Sequence, residues 1–393
     1  MDYILEISRI IDGAVKGDTA KVLAYLEQLN RKLREAGDNT SADRLVKTAY
    51  QTKTSEIKTA TIGTTPRLPV DSESRLALAD EERISQGQVV VILEPPIQQR
   101  VDEFIRYVKA ADQLLASNVG ISPSMLIYGP PGVGKTELAR YVSAELQLPL
   151  ITARSDSLIS SFLGSTAKNL RTLFEHVRSR PCILFLDELD SVAKLRDDHH
   201  ELGELKRVVV SLLQNIDALN DETVLIAATN HHHLLDPAIW RRFTYKLEMG
   251  KPNIGARENL FQLFLGDYTS PEIGIKDFAL AAEDVTGSDI KQICQNAIRA
   301  AVLENDSMVQ AIKVFREIIR HRLDNLEDFT NITASNLHKV RDLNPKVFTL
   351  NRLALLFGSS EATISRRLKE EGTPNGKRNK TPNKSSRAST ARY

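Results

Sequence analysis

Residues 129–136 read GPPGVGKT, and this spacing suits the grip of phosphate groups. In the loop Gly129, Pro130, Pro131, Gly132, Val133 and Gly134, the glycines let backbone N–H groups close around phosphate oxygens. Lys135 can then reach the β and γ phosphates of a nucleotide, and the Thr136 hydroxyl can ligate a divalent cation. ATP and Mg2+ are the cofactors this chemistry calls for. A second element, CILFLDELD, is an apolar run ending in Asp187 and Glu188. Asp187 is suited to hold the magnesium shell, and Glu188 to polarise the water that attacks the γ phosphate. A third run, VLIAATN, ends in Asn230, whose amide can orient that water. Further on, LDPAIWRRF carries Arg241 and Arg242 directly before Phe243. A guanidinium neutralises charge on a transferring phosphoryl well. These two can act in cis, act from a neighbouring subunit, or pair with surface carboxylates.

The elements that must position these groups are legible as alternating runs. MLIYG, LPLIT, CILFLD, VLIAATN and YKLEM are short apolar strands separated by helical patterns, which predicts a doubly wound, parallel α/β sheet over 89–250. Residues 251–325 show helical periodicity alone and predict a helical subdomain after the sheet. Before the sheet, 1–52 reads as a helical module with two stripes, Ile4, Ile7, Ile11, Val15 and Val22, Leu26, Leu29, Leu33. Residues 53–88 read as a linker, Thr/Ser-rich and without period at their start. In the helix TAKNLRTLFEHV, Leu170, Leu173, Phe174 and Val177 form the buried stripe and Ser165 is the expected cap.

The chain has 393 residues, 41% hydrophobic and 26% charged, enough for two or three globular domains. Its longest apolar runs fall far below the roughly 18 residues of a membrane span, and the N-terminus lacks a signal-peptide layout. A cytoplasmic protein is expected, without a membrane partner. Cys182 and Cys294 sit in apolar patterns on separate elements, so neither a disulfide framework nor a zinc ligand set is expected. Net charge is +1, yet the tail 374–393 is basic with no acid, which leaves the body mildly acidic. HHELGEL lacks the spacing of a zinc-protease motif, so this chain is not expected to cleave peptides itself.

GPPGVGKT, ILFLDELD, AATN, LDPAIWRRF and VTGSDIKQICQNAI, in this order over roughly 89–303, resemble the AAA ATPases of the clade with a second region of homology. The resemblance implies a P-loop sheet with a helical lid, and Gly287 and Ser288 as the lid's small pair over the nucleotide. It implies that Arg241 and Arg242 complete a neighbour's site in a homo-oligomeric, typically hexameric ring. It also places SSFLGST where this family carries its pore loop, so that Phe162, Leu163 and Gly164 line a channel that grips a protein client. The sequence departs from the pattern in two places. ALNDETV replaces the glycine-rich intersubunit turn, and TNHHHLL replaces the usual Arg-Pro pair, so His231, His232 and His233 are read as structural or interface residues. The layout is similar to bacterial AAA ATPases encoded beside subtilisin-like serine peptidases, which implies such a peptidase as a partner.

At the C-terminus, 326–373 resembles a small helix-turn-helix module. TLNRLALLFGSSEATISRRLKEEG reads as two helices turning at Gly358, with Leu353, Ala354, Phe357, Ile364 and Leu368 as their core. Thr363, Ser365, Arg366 and Arg367 then lie on or beside a helix able to enter a DNA groove. Two functions follow: an ATP-driven ring that remodels or threads proteins, and a DNA-acting ATPase recruited through this module.

Overall fold

The computed structural model describes residues 3–15, 19–51, 68–71, 76–117, 120–154, 163–193, 202–219, 223–269, 274–323, 326 and 328–370. The chain divides into two units, Met1–Ala256 with Thr286–Ser288, and Arg257–Val285 with Asp289–Tyr393.

The first unit opens with helices α1 (Ile4–Val15), α2 (Thr19–Glu35) and α3 (Asn39–Gln51). The second stripe turns inward at Leu29 and Leu33, which cluster with Ala42. The first stripe does the opposite: Ile4, Ile7, Ile11 and Val15 are all exposed. The reason lies in the helix's other face. Glu6, fully buried, accepts from Lys32 Nζ at 2.6 Å, and Asp12 accepts from Lys21 Nζ at 2.9 Å, so two ion pairs to α2 set the rotation of α1. The far side of α2 meets the body: Arg31 donates to the Gln147 carbonyl, and Gln147 Nε2 donates to Glu35 at 2.8 Å.

The sheet follows. Strands β1 (Ala79–Glu82), β2 (Ser124–Tyr128), β3 (Leu150–Ala153), β4 (Cys182–Leu186), β5 (Thr223–Thr229) and β6 (Tyr245–Glu248) form one sheet in the order β1-β3-β4-β5-β2-β6. β2 to β6 are the five expected strands, and their pairings are all parallel. Every residue of β4 and β5 is buried, as continuous apolar runs covered on both faces must be. β1 was not expected. It lies in the stretch read as linker, carries the sequence ADEE, and pairs antiparallel on the edge strand β3. Its Glu81 accepts from Arg180 Nη2 at 2.8 Å, which lets an acid stand at a half-buried sheet edge.

Helices α4 (Pro95–Lys109), α5 (Ala111–Ala116), α6 (Lys135–Leu146), α7 (Leu163–Arg178), α8 (Leu189–Ala193), α9 (Leu202–Asp217) and α10 (Pro237–Trp240) complete this unit. One apolar layer joins α4 and α6 to the sheet through Phe104, Leu138 and Phe185; the other joins α7 and α9 through Phe174, Leu173 and Leu212. All four expected stripe residues of α7 are buried. The helix starts at Leu163, two residues before Ser165, so Ser165 lies inside the helix and is not its cap. Phe174 is 1% exposed between α7 and the sheet. Phe174→Ala should therefore destabilise the protein by about 3–5 kcal/mol, read as a shifted urea midpoint. An unchanged midpoint would remove Phe174 from the core.

The second unit is helical: α11 (Ile254–Leu265) from Arg257 on, α12 (Ile275–Ala281), α13 (Gly287–Leu303) from Asp289 on, α14 (Ala311–Arg322), α15 (Ala334–Leu343), α16 (Leu350–Leu356) and α17 (Glu361–Glu370). α16 and α17 turn at Gly358, whose φ is 61°. Leu353, Ala354, Phe357 and Ile364 are buried and Leu368 packs against them, but in the same cluster as Phe261, Phe278 and Phe315. The C-terminal helices thus share one core with α11 to α14. Among the described residues no helix is long and apolar enough to cross a membrane.

Candidate nucleotide site

The site grows from the carboxyl ends of the parallel strands. β2 ends at Tyr128, the loop 129–134 follows, and α6 starts at Lys135. The loop is clamped between its neighbours, since Gly129 N–H donates to Thr229 O on β5 at 3.3 Å and Met249 N–H donates to Tyr128 O at 2.8 Å. Only glycine fits at Gly129, where a Cβ would stand 2.0 Å from the Met249 carbonyl oxygen and φ is +148°. At Gly132, φ +78°, a Cβ would stand 2.3 Å from Ser288 Oγ. Ser288 N–H donates to Gly132 O at 2.9 Å, and Thr286 Oγ1 lies 3.1 Å from Ser288 Oγ. Both glycines are thus required by the packing of the loop on Met249, Thr286 and Ser288, which holds its shape ahead of α6, where its N–H groups could meet phosphate oxygens.

Lys135 Nζ donates to Gly129 O and Pro130 O, each at 2.8 Å, and to Asn230 Oδ1 at 2.6 Å. Burial lowers its pKa below the usual lysine value, while the charges of Asp187 and Asp190 act the other way. Thr136 Oγ1 donates to Asp187 Oδ2 at 2.9 Å, so a hydroxyl and a carboxylate fit to share a magnesium shell already touch. The next residue, Glu188, donates its N–H to Asp187 Oδ1 at 2.9 Å and has φ +50°. A left-handed backbone is costly for a glutamate. It leaves the Glu188 side chain exposed at the strand end instead of folded into the core. Chemically, the cluster can hold phosphates, a divalent cation and an acceptor for a water proton.

Two residues here escaped the sequence reading. Thr229 Oγ1 donates to Asp190 Oδ1 at 2.6 Å and accepts from His231 N–H at 3.0 Å, which joins the acidic segment to the Asn230 strand. The last acid of DELD, Asp190, was the available signal. The histidines are exposed, and the His232 ring lies tilted against Tyr128 and Trp240, its centroid 4.8 and 6.2 Å from theirs.

The two arginines are not beside the loop. β6 runs parallel to β2 with Met125 opposite Tyr245, so Arg241 and Arg242 precede β6 at the amino edge of the sheet, whereas the loop leaves the carboxyl edge. Ser124 Oγ at the start of β2 donates to Arg242 O at 3.1 Å. The length of β2 separates the two edges, on the order of 13 Å. Arg242 Nε and Nη2 donate to Asp217 Oδ1 and Oδ2 at 2.8 and 2.9 Å, and these bonds hold the Asp217 carboxyl below the usual carboxylate range. Arg241 is exposed, and no described residue bonds its guanidinium.

Of the expected pore loop, Phe162 lies outside the described residues, and Leu163 and Gly164 form the first turn of α7. Gly287 and Ser288 open α13. On α17, Thr363 and Ser365 are half-buried, while Arg366 and Arg367 are exposed and face Glu370 at 3.9 and 3.1 Å.

Residues 125–251 match the family described as ATPase family associated with various cellular activities (AAA). The chain is 40% identical over 206 residues to an AAA family ATPase of Sinorhizobium fredii, covering 52% of this chain and 62% of that one. It is 36% identical over 199 residues to proteasome-activating nucleotidase 1 of Haloferax volcanii, covering 48% and 49%. It is 31% identical over 243 residues to 26S protease regulatory subunit 6A of Caenorhabditis elegans, covering 59% and 56%. The matched stretch thus spans about half to three-fifths of each relative.

Proposed function

We propose that this chain, whose residues 125–251 are an AAA ATPase domain, works as a ring ATPase that remodels or threads protein clients. In this reading Lys135 and the loop 129–134 bind the phosphates of ATP, and Thr136 and Asp187 hold Mg2+. That ion, when bound, supplies charge neutralisation on the phosphate oxygens. Glu188 accepts the proton of the attacking water, Asn230 orients that water, and Gly287 and Ser288 are the small pair beside the nucleotide. The observation that carries the ring is the position of Arg241 and Arg242 on the sheet edge away from their own loop. Beyond Lys135 and Mg2+, a guanidinium that neutralises charge developing on the γ phosphate would, on this geometry, come from a neighbouring copy.

The protein client rests on the resemblance to proteasome-activating nucleotidases and a 26S regulatory subunit. Phe162, Leu163 and Gly164 would then grip a polypeptide by apolar contact, and a separate subtilisin-like peptidase would receive it. The DNA reading is the weaker one, because Glu370 offsets part of the charge of Arg366 and Arg367 and the relatives include a proteasome-activating nucleotidase and a 26S protease regulatory subunit. The test is mass in solution. With ATP, the Glu188→Gln protein should sediment as a closed oligomer, the hexamer being the expected form. A monomer at micromolar concentration with nucleotide bound would sink the ring.

A further inference from the structure

The two adjacent arginines stand in different situations. Arg242 is held through both its side chain and its backbone. Its guanidinium forks onto Asp217, the last residue of α9, at 2.8 and 2.9 Å, and its carbonyl accepts from Ser124 Oγ at 3.1 Å. The next residue, Phe243, is 1% exposed, and Ser124 Oγ also accepts from Thr244 N–H at 3.0 Å. To reach a neighbour's phosphate, Arg242 must surrender two charge-assisted hydrogen bonds in a planar fork. Arg241, one residue earlier at the end of α10, surrenders none: its guanidinium is exposed and no described residue bonds it.

We infer that Arg241 alone is the guanidinium offered to the neighbouring subunit, and that Asp217 with Arg242 forms a strut fixing the turn from which Arg241 projects. Asp217 is therefore a positioning residue, acting through the turn and not on the nucleotide. The strut ties the end of α9 to the α10–β6 turn, so a shift of α9 moves Arg241 with it. This inference rests on the shared-site reading above.

The experiment is a charge swap in the full-length protein, with ATPase kcat and KM, oligomer mass and melting temperature read together. Arg241→Gln should lower kcat by about 10³-fold with KM little changed. Asp217→Asn should lower kcat by a few-fold, roughly what one exposed ion pair contributes, at constant KM and mass. Arg242→Asp, which faces Asp217 with a like charge, should lower kcat further. Combining it with Asp217→Arg should restore kcat to within about twofold of the wild type, because the ion pair is rebuilt with its ends exchanged. A swapped protein that folds, assembles and stays as inactive as Arg242→Asp would overturn the strut, since position 242 would then need a cation of its own. Should Arg242→Asp fail to fold, Asp217→Asn decides alone, and an unchanged kcat overturns the inference. If Arg241→Gln and Arg242→Gln both hydrolyse ATP normally, the shared site falls and the strut with it. If the two are equally inactive and the swap does not rescue, the shared site stands and only the strut falls.

Discussion

Glu188→Gln binds ATP with an affinity within a few-fold of the wild type and turns it over at least about 10²-fold more slowly, a barrier increase of about 2.7 kcal/mol. The substitution keeps the length and branching of the side chain and removes only its capacity to accept a proton. It also keeps the backbone as it is. Glu188 already stands at φ +50° with its N–H fixed on Asp187, and glutamine tolerates that conformation no worse than glutamate. The phosphate-binding groups Lys135 and Thr136 are untouched, so binding and turnover separate. Lys135→Ala behaves differently, because Lys135 Nζ bonds two loop carbonyls and Asn230 at once. Its loss removes the phosphate's cation and leaves the loop unbraced, so nucleotide affinity itself drops. Fluorescent-nucleotide titration and phosphate-release rates distinguish the two variants. Normal turnover by Glu188→Gln would remove Glu188 from the chemistry.

The nucleotide cluster was legible because its residues terminate strands that are buried on both faces. A run such as CILFL has no polar position to confuse its period, and the loop after it can only face the sheet's carboxyl edge. Elements stabilised by ion pairs were not legible. ADEE reads as a linker until Arg180 is known to meet Glu81, a partner 99 residues away. The stripe of Ile4, Ile7, Ile11 and Val15 likewise does not tell which way it faces until Lys32 and Lys21 are known to hold Glu6 and Asp12. Both gaps have one cause: hydrophobic periodicity records burial by apolar contact and is blind to charges neutralised by distant residues. The same blindness hid Asp217. As an acid ending an amphipathic helix it looks like an ordinary solvated residue, and only the fork onto Arg242 separates it from the rest.

Mixing two inactive proteins should produce an active one. Arg241→Ala retains Glu188 and its whole phosphate loop but offers no guanidinium to its neighbour. Glu188→Gln retains Arg241 but cannot activate water. Each homogeneous ring lacks one half of every site, so each should fall at least about 10²-fold below the wild type. In a ring assembled at random from equal amounts, an intact pocket meets an intact arginine at about a quarter of the interfaces, because each condition holds for half the chains. Hydrolysis should then recover to about a quarter of the wild-type rate per chain, and should peak at equal mixing. The expectation follows from the sheet. Arg241 leaves the amino edge at the head of β6, the loop leaves the carboxyl edge at the end of β2, and the length of β2 lies between them. An arginine acting on its own loop would have to cross that length, and then no mixture of the two variants would exceed the sum of its parts. Mixed rings, verified by subunit exchange, that remain at the level of the homogeneous variants would mean the site is complete within one chain.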